Sequence, residues 1–146
     1  MYTVRQSIFI NAPRERVFDV IADPARAAEW QTALQRADSG GAGRLSQGTR
    51  VADSRNWLGQ SIESRYEIVE HAAPDRLHMR VAEGPVQFDF IWTLESVNGG
   101  TRLTGEGQGE WSGPHSQGIA ARVADHNLAA DLAVLRALIE QEAVAS

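Results

Sequence analysis

The most constraining feature of this 146-residue sequence is the dipeptide Asn98-Gly99, set between two strand-like runs. A two-residue hairpin turn of type I′ needs positive φ at both central positions, and Asn-Gly meets that need with little strain. Fixing that turn sets the register around it. Val97 falls opposite Gly100, Leu94 opposite Leu103, Trp92 opposite Gly105, Phe90 opposite Gly107 and Phe88 opposite Gly109. On the other face Glu95 meets Arg102 and Thr93 meets Thr104. One face thus lays large aromatics over glycines, the other sets opposite charges together, and both favour cross-strand pairing. The Gly-x-Gly-x-Gly of 105–109 is then part of a strand. A dinucleotide loop would need a helix opening directly after it. Its glycines make room on the inner face for packed rings, for the long helix or for a ligand.

The same reading extends along the chain. Segments 34–39, 48–57, 60–71, 76–82, 86–97 and 101–111 are β-rich and separated by short Gly- or Pro-containing breaks, which predicts an antiparallel meander. A further strand is expected over 2–10. Between that strand and the meander lie two short helices. Pro13 is read as the first position of one, where its missing N–H is harmless, with Val17, Phe18 and Ile21 as its apolar stripe. Asp23-Pro24 opens the second, which ends near Trp30, a packing anchor. The Gly/Ser-rich stretch 39–43 reads as a loop. From about 116 to 143 the chain is rich in alanine and leucine. Leu128, Leu132, Leu135 and Ile139 fall on one face of a long amphipathic helix. The expected architecture is α+β: about seven curved antiparallel strands, two short helices and a long C-terminal helix, all in one domain over 1–146.

A second hairpin turns at Leu58-Gly59. A two-residue loop there sets Trp57 opposite Gln60, Arg55 opposite Ile62, Asp53 opposite Ser64 and Val51 opposite Tyr66, with Arg50 and Glu67 paired outside. A bulge at Gly59 would invert one strand. In this register Asp53, Arg55, Ser64 and Tyr66 crowd a face that should be core. An unpaired buried polar group costs roughly 1–3 kcal/mol, and a charge more. Two readings follow. Asp53 and Arg55 form a structural ion pair near the sheet rim, with Tyr66 satisfied by a neighbour, or the four form a recognition patch in an apolar pocket. The pocket reading assigns ligand contacts to Asp53, Arg55, Trp57, Ser64, Tyr66, Met79, Phe88, Phe90 and Trp92, and expects Leu77 and the inner face of the long helix in the same apolar wall. His71, His78, His115 and His126 do not cluster in the pattern, so no metal or other cofactor is expected, and His126 is expected in solvent.

Net charge is −5 with no basic stripe, which argues against nucleic acid as a partner. The absence of cysteine removes disulfides and cysteine-ligated zinc, and fits a reducing compartment. The opening MYTVRQSIFINAP lacks the charged-then-apolar order of a signal peptide, and no run approaches a bilayer span. A cytoplasmic protein without integral membrane association is expected. A homodimer is compatible with the sequence, which does not set the oligomeric state.

The order strand, two short helices, six strands, long helix resembles the START-like superfamily, also called SRPBCC or polyketide cyclase/dehydrase-like. The resemblance rests on Ile8 to Pro13 (IFINAP), Val17-Phe18, Ala22-Asp23-Pro24, Trp30, Gly48-Thr49, Tyr66 to Glu70 (YEIVE), Pro74 and Leu77. In the tail it rests on Ala130-Asp131-Leu132, Leu135 and Leu138-Ile139-Glu140. It covers essentially the whole chain and implies a helix-grip fold with a cavity between sheet and C-terminal helix. It also implies ligands such as lipids, polyketides or aromatic products. It carries over no catalytic residue, and function must be argued from the site. Three functions compete: binding of a small hydrophobic molecule; a polyketide cyclase or dehydratase with Asp53 as acid or base, Arg55 on a developing enolate and Tyr66 as donor; and a protein-interaction or chaperone-cofactor module.

Overall fold

The computed structural model describes residues 1–38, 45–113 and 115–145. The strands are β1 (Tyr2–Ile10), β2 (Leu34–Asp38), β3 (Arg50–Trp57), β4 (Gln60–Ala72), β5 (Arg76–Val81), β6 (Val86–Val97) and β7 (Gly100–Trp111). Helix α1 (Arg14–Ile21) and a 3-10 helix (Pro24–Glu29) follow β1, and α2 (Gln117–Ala145) closes the chain. The strands form one antiparallel sheet in the order β1-β7-β6-β5-β4-β3-β2. Strand limits move by one or two residues from expectation. The 39–43 loop and the last residue of the expected strand 34–39 lie outside the described residues.

Both hairpin registers hold. Trp92 lies opposite Gly105 and Phe90 opposite Gly107. Asp53 lies opposite Ser64 and Val51 opposite Tyr66, without a break in pairing at Gly59. Both turns adopt the left-handed conformation at each central residue: Asn98 and Gly99 at φ 49° and 81°, Leu58 and Gly59 at 52° and 79°. The pairing shifts instead between Ile68 and Glu70 on β4 and between Leu34 and Arg36 on β2. Pro13 departs from expectation: it is the N-cap, in extended conformation, and α1 begins at Arg14. Asp23 caps the next helix as expected, accepting the Ala25 N–H at 3.0 Å, but that helix is of the tighter 3-10 type.

The glycines of β7 serve ring packing. A β-carbon on Gly105 would lie 2.7 Å from the Trp92 ring and 2.9 Å from Phe90, and one on Gly109 would lie 2.7 Å from Tyr2. The sheet also curls strongly. Tyr2 on β1 stacks on Trp57 at the far end of β3, centroids 6.2 Å apart, although four strands separate β1 and β3. Trp57 also meets the Trp111 ring edge-on at 6.2 Å.

Helix α2 buries Ala120, Leu128, Leu132, Leu135 and Ile139 against the sheet. It runs in the direction of β1: Gln6 bonds Asp125 and the Asn11 N–H bonds Glu140, each at 2.8 Å. The edge strand is thereby covered, which blunts edge-to-edge association. At its start, the Gln117 side chain pairs with the Trp111 backbone through both its nitrogen and its oxygen. Near its end Glu142 pairs with Arg26. Among the described residues no helix is long and apolar enough to cross a membrane.

Candidate functional site

The curled sheet and α2 leave a cavity of about 170 Å³ between them. An apolar void of roughly 150 Å³ holds a benzene ring, so this space suits a small ring system. The residues proposed from sequence all border it: Asp53, Arg55 and Trp57 from β3, Ser64 and Tyr66 from β4, Met79 from β5, and Phe88, Phe90 and Trp92 from β6. Alternation explains their convergence, because residues two apart on a strand share a face. Leu77, expected in the same wall, is fully buried and lies outside the lining.

The polar groups form one connected cluster. Asp53 is held from both sides: Ser64 Oγ donates to Oδ1 at 2.6 Å and Arg55 Nη2 to Oδ2 at 2.7 Å. The same Arg55 nitrogen donates to Gln31 Oε1 at 3.1 Å. The Asp53 side chain is only 3 % exposed, whereas Arg55 is 31 % exposed. The two readings of these residues therefore merge, since the ion pair is real and lies in the cavity wall. A carboxylate whose two oxygens both accept short bonds is poorly placed as a general base, so Asp53 positions Arg55. Tyr66 differs. Its hydroxyl has no hydrogen-bond partner among the described residues. Burial, helped by the Asp53 charge and opposed by Arg55, pushes its pKa above the usual phenol value, which keeps it a donor.

Sequence reasoning placed the inner face of the long helix in the wall but named none of its residues. Ala124, Asn127, Leu128 and Asp131 border the cavity at i, i+3, i+4 and i+7, one face of α2. Asp131 Oδ1 accepts the Thr32 N–H at 2.8 Å and the Thr32 hydroxyl at 2.9 Å. Burial raises its pKa, opposed by the Thr32 bonds and by Arg55. A signal existed, since Asp131 sits three residues after Leu128 and four before Leu135, inside the apolar stripe. Gln31 had no comparable signal. Trp30 both packs and lines: it is 2 % exposed, meets Trp92 edge-on at 5.9 Å and borders the cavity. The buried Nε1 donors of Trp30 and Trp57 have no partner among the described residues.

The histidines lie elsewhere. His71 packs edge-on against Phe18, His78 pairs with Asp89 at 2.8 Å, and His115 and His126 are exposed. Among the described residues no three His, Asp or Glu side chains converge as metal ligands would.

The fold is shared widely. This chain superposes on a START superfamily protein from Mycobacterium smegmatis with a TM-score of 0.83 at 15% identity, covering 97% of this chain and 99% of that one. For TTHA0849 from Thermus thermophilus the TM-score is 0.80 at 19% identity, with 96% and 98% covered. The di-domain ARO/CYC protein BexL from the BE-7585A biosynthetic pathway matches with a TM-score of 0.73 at 18% identity, over 96% of this chain and 47% of that one. These likenesses show the helix-grip fold. No curated protein matches the sequence. The family model described as polyketide cyclase / dehydrase and lipid transport matches residues 1–140. With a match of that extent, the chain belongs to the polyketide cyclase / dehydrase and lipid transport family.

Proposed function

We propose that this protein binds a small, largely apolar ring compound in the cavity between sheet and α2, through aromatic walls and one polar end. Family and fold support a hydrophobic-ligand-binding or polyketide cyclase-like role. The observation that carries binding is a space of about 170 Å³ where a sealed core would otherwise lie, bordered by Trp30, Trp57, Phe88, Phe90 and Trp92. Aromatic faces prefer offset or edge-on contact with other rings. At the polar end, the Tyr66 hydroxyl is a donor free to meet a ligand acceptor beside Asp53 and Arg55.

Tryptophan fluorescence tests this directly, because three of the four tryptophans border the cavity. Purified protein is first inspected by native mass spectrometry for a bound passenger. It is then stripped and titrated with 2-naphthol. One-to-one saturable quenching is expected, weakened about tenfold or more in Phe88→Ala with unchanged circular dichroism. No passenger and no saturable binding to a panel of ring compounds and lipids would defeat the reading.

A cyclisation or dehydration chemistry shares the cavity and has one observation in its favour, a buried phenol kept protonated beside the Arg55 guanidinium. Tyr66 would then donate to a carbonyl oxygen while Arg55 stabilised the developing enolate. Turnover of a poly-β-carbonyl substrate that disappears in Tyr66→Phe, while binding survives, is the result this second reading requires.

A further inference from the structure

Among the described residues, the charged ones bordering the cavity are Asp53, Arg55 and Asp131. Asp53 and Arg55 neutralise each other across 2.7 Å. Asp131 makes no salt bridge among the described residues, although the Arg55 charge acts on it from further away. Its Oδ1 takes two neutral donors from Thr32, and its Oδ2 accepts no bond among the described residues. Among the described residues the lining therefore holds two carboxylates against one guanidinium, and that guanidinium is bonded to Asp53, which leaves the helix carboxylate in excess. Against largely apolar walls such a charge acts more strongly on a ligand charge than it would in open water.

From this we infer that Asp131 sets the charge selectivity of the cavity: it admits neutral or cationic ring compounds and turns away those bearing a carboxylate, such as free fatty acids and aromatic acids. The inference rests on the ligand-binding reading above and narrows it to a class. Asp131 Oδ2 also offers an acceptor for a phenol, amide or ammonium hydrogen, whereas a carboxylate would bring only acceptors to meet it. Specificity then arises from repulsion as well as attraction.

The substitution that isolates the charge is Asp131→Asn. Its amide oxygen can still accept from both Thr32 donors, so the link between α2 and the segment after the 3-10 helix is retained. Burial raises the Asp131 pKa, so at neutral pH its ionisation works against the fold, and Asn removes that penalty. The variant is therefore expected to fold.

Three probes of one shape make the test: 2-naphthamide (neutral), 2-naphthoate (anionic) and 2-naphthylmethylamine (cationic), each titrated near neutral pH by tryptophan quenching. In the natural protein the amide should bind at least tenfold more tightly than the carboxylate, and the amine at least as tightly as the amide. In Asp131→Asn the carboxylate should gain fivefold or more, the amine should weaken, and the amide should stay within about twofold. A merely structural Asp131 would move all three together. Equal binding of amide and carboxylate in the natural protein, or an unchanged ratio in the variant, would overturn the inference while leaving the cavity reading intact. Failure of every probe to bind would defeat the cavity reading and the inference with it.

Discussion

The β6–β7 and β3–β4 hairpins are built alike and used differently. Each closes on a two-residue turn with both central residues left-handed, and each keeps register along its full length. Their inner faces diverge. In β6–β7, Trp92 and Phe90 lie over Gly105 and Gly107 so closely that even a methyl group would collide. In β3–β4, Asp53, Arg55, Ser64 and Tyr66 occupy the equivalent face and border the cavity. One hairpin lines its side of the interior with rings packed on glycines, while the other lines its side with a hydrogen-bonded polar cluster, and both border the cavity. Hydrophobic burial and dispersion stabilise the first. The second is held by a hydrogen-bonded network whose loss would strand buried polar groups.

The largest expected contrast comes from equal truncations in the two hairpins. Leu103 on β7 is fully buried, and Leu103→Ala should destabilise by about 3 kcal/mol, the usual loss for a sealed site that cannot collapse. Ile62 on β4 already faces open space, so Ile62→Ala forfeits fewer contacts and should cost about 1 kcal/mol. Urea unfolding of both variants checks this. Equal losses would mean that the β3–β4 side is packed as tightly as the β6–β7 side.

Alkaline pH gives the next effect, through Tyr2 of β1, which packs on the β6–β7 side, and Tyr66 of β4. Tyr2 rests on Gly109 near the end of β7, and burial pushes its pKa to about 12. Tyr66 is raised by the same cause at the cavity. Unfolded tyrosines ionise near pH ~10. The raised folded values thus contribute stability that is fully present below pH ~10 and is lost as pH climbs through the folded values. For Tyr2 the loss should reach about 2 kcal/mol by roughly pH 12. Tyr2→Phe should flatten that part of the stability–pH curve, measured by unfolding midpoints from neutral to alkaline pH. An unchanged slope would mean that Tyr2 is not the buried phenol described above.

Sequence carried the fold and the sheet side of the site because both are written in period two. Once Asn98-Gly99 and Leu58-Gly59 fix two turns, alternation dictates which side chains share a face. Asp53 with Ser64 and Trp92 with Gly105 then follow without further information. The helix side obeys a weaker rule. Asp131 interrupts the stripe of Leu128, Leu132 and Leu135, yet at the margin of a stripe a carboxylate can equally face water. Only the docking angle of α2 and the Thr32 bonds place it at the cavity. Gln31 follows a 3-10 helix, where no period predicts direction. The use of Asp53 was also hidden, because whether a buried carboxylate is free or saturated depends on partners that only three dimensions supply.

The smallest effect separates the two turns themselves. Asn tolerates left-handed backbone, whereas an ordinary residue such as leucine pays roughly 1–2 kcal/mol there. Asn98→Leu should therefore cost about 1 kcal/mol, read as a shift in the urea midpoint. The reverse change is not its mirror image. Leu58 is half-buried and packs against the hydrophobic core. Leu58→Asn relieves strain but exposes apolar surface, so the net change should stay within about 0.5 kcal/mol. If Leu58→Asn instead stabilised by a full ~1 kcal/mol, the whole strain term, the Leu58 side chain would contribute nothing to packing. If it destabilised by more than that, Leu58 would be an anchor for the cavity end of the sheet, and the strain in its turn would be what holds the β3–β4 hairpin over the core.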